Sequence, residues 1–183
     1  MDLESSWQDF IERSLTWSKQ QNQRLLTERD KVLPSPCELE LQGDDLVYWQ
    51  PVRQQPVLDF TAVEQALELT LHPDIKTYYG LYFGGGLAAE HAEGKLLLLM
   101  PWHEADCDRL KENIIGHILM KRRLRQRETV FFAVTDDENV MVSVLNATGE
   151  IYAESVGKEV KHKLADSLAD FLQQLTPTDS EGF

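Results

Sequence analysis

What the chain lacks narrows it first. Its 183 residues hold two cysteines, Cys37 and Cys107, too few and too far apart for a disulfide scaffold or a cysteine-rich zinc site, so reduced cytosolic thiols are expected. No apolar run approaches the roughly 20 residues that cross a bilayer. The start, MDLESSWQDF, places acids where a secretory leader has bases and a continuous apolar region, so export is not expected. Basic residues are scarce: 18 Lys plus Arg stand against 31 Asp plus Glu, a formal charge of −13, which repels nucleic-acid phosphates and anionic lipid headgroups alike. A basic partner suits such a surface, although acidity also serves solubility and names no function by itself.

Motifs of catalysis are missing or incomplete. There is no G-K-[ST] phosphate loop. Gly84-Gly85-Gly86-Leu87-Ala88-Ala89 satisfies G-x-G-x-x-A in letters, but Gly94 and the strand-like Leu96–Leu99 follow too soon for the helix that receives a pyrophosphate; a flexible hairpin or lip loop is expected instead. His103-Glu104-Ala105-Asp106-Cys107 begins like the zinc-binding H-E-x-x-H helix, with Cys107 in place of the second histidine. His72, His91, His117 and His162 stand at no spacing that would complete it, so acids matched to a helix dipole are the better reading than a metal site. His117 lies beside an apolar stripe with no nucleophile or second base tied to it, and reads as structural. Asn146-Ala147-Thr148 reads as a turn between strands rather than a glycosylation acceptor. No catalytic, cofactor-binding or metal-binding residue is assigned, and no cofactor is implied.

What is present is a set of periodic segments. Pro101–Leu124 begins with Glu104, Asp106 and Asp108, ends with Lys121, Arg122 and Arg123, and carries Cys107, Leu110, Ile114 and Ile118 at helical spacing; charge order and apolar period support one buried-face helix. The bases of Lys121–Arg127 are read as partners of its C-terminal carbonyls and of neighbouring acids, with a minor contribution to membrane proximity as the alternative. Trp7, Phe10, Ile11, Ser14, Leu15 and Trp17 line one side of an N-terminal helix, whose polar side lacks the bases of a membrane-surface helix. Pro34-Ser35-Pro36-Cys37 forces extended backbone, Leu46–Trp49 reads as a strand, Thr61-Ala62-Val63-Glu64 as a capping box opening a helix to about Leu71, and Pro73 as the first turn of a helix over Asp74–Tyr79. Strands are expected at Lys95–Met100, Thr129–Val134, Val140–Leu145 and Ile151–Glu154, the last three antiparallel. Val160, Leu164, Leu168, Phe171, Leu172 and Leu175 describe a closing helix. The pattern predicts one α+β domain over residues 1–175, a mainly antiparallel sheet covered by helices, with a flexible tail over 176–183.

Pro34-Ser35-Pro36-Cys37, Tyr48-Trp49-Gln50-Pro51, Trp102, Arg109, Glu112-Asn113-Ile114-Ile115-Gly116-His117, Lys121, Arg123-Leu124, Asn146-Ala147-Thr148-Gly149-Glu150 and the Leu164–Leu175 segment, in this order and at these separations, resemble the Syd family of SecY-interacting proteins. The resemblance implies an SMI1/KNR4-like α+β fold and a non-enzymatic cytosolic protein that docks peripherally on the cytoplasmic side of the inner membrane. There it would bind SecY through an acidic concave face, monitoring or restraining improperly assembled translocon. Membrane association would be indirect, through the basic cytoplasmic loops of SecY, and a monomer is the working expectation. An immunity-like protein that neutralises a toxin with the same face is the alternative. From the residues themselves, Asp44, Asp45, Glu104, Asp106 and Asp108 are candidate electrostatic contacts, and Trp49 and Trp102 candidate anchors that could equally be core.

Overall fold

The computed structural model describes residues 1–183. Helix α1 (Leu3–Gln20) starts where the Asp2 carboxylate accepts the Ser5 N–H at 2.8 Å, and it buries Trp7, Phe10, Ile11 and Ser14 at helical spacing. Trp7 stacks on Tyr78 with ring centroids 4.9 Å apart, and its indole N–H donates to the Tyr78 carbonyl, so the aromatic face docks while its one polar atom stays paired. Trp17 lies only half-buried.

A three-stranded sheet follows, ordered β1 (Leu26–Glu28), β3 (Leu46–Trp49), β2 (Glu38–Gln42). Only its central strand was legible beforehand, because β1 spans a single alternation and β2 is exposed along nearly its whole length. The short ladder of β4 (Val52–Arg53) with β5 (Tyr82–Phe83) closes the segment that holds α2 (Thr61–Leu67) and α3 (Pro73–Leu81). The expected capping box does not form: Asp59 accepts both the N–H and the hydroxyl of Thr61. Glu64 reaches forward to the Leu71 N–H and to Lys76. With Glu68 left-handed, α2 stops at Leu67 instead of about Leu71.

The main sheet has seven antiparallel strands in the order β11 (His162–Ala165), β10 (Ile151–Ser155), β9 (Val140–Leu145), β8 (Thr129–Thr135), β7 (Gly94–Leu98), β6 (Leu87–His91), β12 (Thr176–Pro177). Directly opposed residues share a face, so the register sorts the side chains. Leu87, Leu98, Ala133, Val142 and Ala153 form one row, facing α1, α3 and α5 (Leu168–Gln173). Ala88, Leu97, Val134, Met141 and Glu154 form the other. An irregularity between Phe131 and Ala133 lets consecutive aromatics serve both faces: Phe132 meets Tyr78 and Phe171, while Phe131 meets His117.

The closing helix is shorter than its apolar period suggested. Val160 precedes β11, Leu164 lies in it, and Ser167 caps α5 by accepting the Asp170 N–H. A strand and a helix in succession both contributed inward residues, and their sum imitated one helical stripe. The segment expected as a tail begins as β12 on β6, and the Thr178 N–H continues that ladder to the Ala88 carbonyl.

Helix α4 (Glu104–Arg123) crosses the second face and is fixed there by buried charge. Lys121, expected among exposed C-terminal bases, is fully buried; its ammonium lies 2.8 Å from Glu154 and donates to the Lys158 carbonyl at 2.9 Å. Thr129 donates to the same carboxylate, and His117 Nε2 stands 2.9 Å from the Thr129 hydroxyl. Burial alone would raise the Glu154 carboxyl, but hydrogen bonds from His117 and Lys121 outweigh it and hold the group down to about 2.

The Asn146–Glu150 turn shows why a short motif can matter to distant packing. Asn146 accepts the His72 N–H and donates to the Thr70 carbonyl, while Gly149 has φ +81° and a Cβ there would sit 2.6 Å from the His72 ring. Gly149→Ala should therefore cost about 1–3 kcal/mol, read as a lower urea midpoint at unchanged slope.

Candidate functional site

Trp49 ends β3 and its ring packs closely against the glycine run: a Cβ on Gly85 would come within 3.0 Å of it, and Gly86 takes φ +92°. The run expected to be a flexible loop is thus a close-packing seat for an indole, and it leads directly into the β6–β7 hairpin. Trp102 meets Trp49 edge to face at 5.9 Å. The two rings are 4% and 9% exposed, so both belong to the core, with Trp49 alone also reaching the adjoining cleft.

That cleft, about 790 Å³, opens between β1 and β3 on one side and the end of α1, β6 and residues 177–183 on the other. Its apolar lining includes Trp17, Leu26, Leu46, Trp49, Leu87 and Leu97. Glu28, Asp179 and Glu181 bring carboxylates to it, and Arg24 brings the one cationic side chain. Arg24 is already used, 3.0 Å from Glu40 and stacked over Tyr48. Asp179 is held below the usual carboxylate range by the Glu181 N–H and by Lys95 at 3.2 Å. Sequence reasoning missed these residues. Glu28 sits in a strand too short for a period, and Asp179 and Glu181 follow an edge strand of two residues that reads as coil.

None of the nominated acids lines this cleft; Asp44 and Asp45 directly precede Leu46 of its wall, and the acids of α4 connect to them through Asp30 and Lys31. His103 caps α4: its Nδ1 accepts the Asp106 N–H at 3.2 Å, and its Nε2 lies 3.0 Å from Asp30. Both ring nitrogens of the H-E-x-x-C segment are thus engaged in capping and tethering, and burial pushes the Cys107 thiol up to about 11. Asp30, drawn down to about 2 by His103 and by the N–H groups of Leu33 and Val32, is followed by Lys31, which pairs with Asp45 at 2.5 Å. Two consecutive residues thereby tie the β2–β3 turn, which carries Asp44 and Asp45, to the start of α4, with Glu104 and Asp106 in its first turn and Asp108 just after. The acids are not equivalent. Asp106 accepts the Trp102 N–H at 2.8 Å and pairs with Arg109, whereas Asp44, Glu104 and Asp108 are exposed.

The arrangement can hold a cation with an aliphatic stem: apolar floor, carboxylates at the rim, and local bases already paired. No helix is long and apolar enough to cross a membrane.

A family model described as "Syd protein (SUKH-2)" matches residues 4–177. Among curated relatives named Protein Syd, that of Colwellia psychrerythraea is 48% identical over 158 residues, 81% of this chain and 79% of the relative. The Pseudoalteromonas atlantica protein is 39% identical over 182 residues, 98% of each chain, and the Alteromonas mediterranea protein is 44% identical over 152 residues, 82% and 84%. With a match spanning nearly the whole chain, and with the α+β fold and antiparallel sheet described above, this protein belongs to the Syd family.

Proposed function

We propose that the protein is a binding module without bond-making chemistry, which docks on the basic cytoplasmic loops of SecY through the acidic cleft and its rim. The observation that carries this reading is the cleft itself: an apolar floor containing Trp49, edged by Glu28, Asp179 and Glu181, with the exposed acids Asp44, Glu104 and Asp108 on the neighbouring turn and helix.

Cytoplasmic loops of multispanning proteins are enriched in Lys and Arg, while the surrounding leaflet is anionic. A protein of net charge −13 is attracted to the loops and repelled by bare lipid, so its address on the membrane is the protein partner. It would sit peripherally on the cytoplasmic face. Long-range attraction mainly raises the encounter rate and sets orientation; Lys or Arg stems laid on Leu46, Leu97 and Trp49 supply residence time as their heads reach the carboxylates. Bound in this way, the protein would monitor or restrain SecY that is improperly assembled.

The test is recovery of SecY with tagged protein from detergent-solubilised inner membrane. Wild type should retain SecY, and Glu28→Lys with Glu181→Lys should lose at least nine-tenths of it at unchanged thermal stability. Equal recovery with both reversals would exclude the cleft as the contact.

A further inference from the structure

A second cavity lies on the other face of the main sheet, where α5 is too short to cover the strand ends. In a flat sheet, β11 and β7 would be four strand spacings apart, about 19 Å at about 4.8 Å each. Yet His162 on β11 reaches Glu93 in the β6–β7 turn at 2.6 Å. The sheet therefore curls until its two sides meet at this end, and Glu93 of that pair lines a pocket of about 210 Å³. At roughly 30 Å³ per water-sized group, the space takes a chain of about seven heavy atoms.

The lining has two parts. Leu96, Val142, Leu164 and Phe171 make an apolar floor, with Ala153 leaving room where its strand neighbours carry larger groups. Glu93, Asp136 and Asp137 make an acidic rim. Glu93 is engaged by His162, and Asp137 by both nitrogens of Asn139, which leaves the exposed Asp136 as the carboxylate open to a ligand. Nearby bases do not neutralise that rim. The Lys95 ammonium is paired with Asp179, and the register puts its side chain on the opposite face with Leu97. His91 is already engaged, its Nδ1 by the Glu93 N–H and its Nε2 by Gln174 at 3.1 Å.

We propose that this pocket binds a small aliphatic primary amine in its ammonium form, the hydrocarbon on the Leu96–Val142–Leu164–Phe171 floor and the charge at Asp136. It is a different site from the cleft and does not depend on how the cleft is used.

The test is a methyl NMR titration of the full chain with n-hexylammonium and, separately, n-hexanoate, whose chains are alike and whose charges are opposite. Hexylammonium should give saturable shifts at the methyls of Leu96, Val142 and Leu164. Asp136→Asn should raise its Kd up to about fivefold, the upper range for one exposed charge pair. Ala153→Leu, which fills the floor, should abolish the shifts while the remaining spectrum stays dispersed. The proposal fails if hexanoate moves the same methyls with equal affinity, if Asp136→Asn leaves the Kd unchanged, or if hexylammonium shifts only cleft methyls such as those of Leu46 and Leu97 or gives no saturable shift.

Discussion

Lys121→Met alone should lower the stability of this protein by about 3–5 kcal/mol, because it leaves the Glu154 carboxylate buried without its cation. Against a total of about 5–15 kcal/mol for a typical domain, such a loss is a large part of the whole. Glu154→Leu alone should be comparably damaging, since it leaves the fully buried Lys121 ammonium without its counter-charge and removes the carboxylate acceptor of the Thr129 hydroxyl. The double variant, in which both charges are gone, should be more stable than either single one. Urea denaturation of the four proteins measures this, and additive losses would show that the pair is not coupled. The wild type carries a matching acid signature. A carboxyl held at about 2 against its ordinary value of 4.5 contributes stability that is complete above 4.5 and disappears as pH falls toward 2. Glu154→Gln, lacking the titration, should flatten that part of the stability profile.

Charge reversal at the rim should separate binding from folding. Asp44→Lys combined with Asp108→Lys changes two exposed carboxylates that hold no structural bond, and should weaken capture of a basic SecY loop peptide about tenfold with little change in the urea midpoint. Asp106→Lys should do something else. It removes the acceptor of the Trp102 N–H and the partner of Arg109 at the start of α4, so a loss of stability accompanies any loss of binding. Isothermal titration beside denaturation distinguishes the cases. If the Asp44/Asp108 variant binds as tightly as wild type, the rim acids are not part of the contact.

The sequence was readable where one physical signal repeated over many residues. The helix ending in Arg123 announced itself through both charge order and period, and the strands Thr129–Thr135, Val140–Leu145 and Ile151–Ser155 through β-branched runs between turn residues. It misled where unlike elements mimic a single period, as at Val160–Leu175, and where a motif has a competitor nearby: Asp59 outcompetes the Thr61/Glu64 capping box for the same N–H. The buried Lys121 was hidden among exposed bases because nothing local signals a carboxylate on a strand 33 residues later.

The candidate site was legible only as chemistry. Acid excess and the two tryptophans could be named from residues, but Glu28 stands about 150 residues before Asp179 and Glu181, and they meet at the cleft only because β1 pairs with β3 and residues 176–178 pair with β6. Trp102 is a supporting wall for Trp49 rather than a surface group, and the glycines that seemed to free a loop instead admit an indole.

The most direct measurement is the affinity of the full chain for a peptide copied from a basic cytoplasmic loop of SecY, titrated from 50 to 300 mM salt. Exposed charges more than about 8 Å apart are largely screened near 0.15 M. A steep fall in affinity across that range, abolished in parallel by Glu28→Lys with Glu181→Lys, is the expected result. Binding that is indifferent to both salt and these reversals, or no binding at 50 mM, would contradict an acidic cleft that captures a cationic partner.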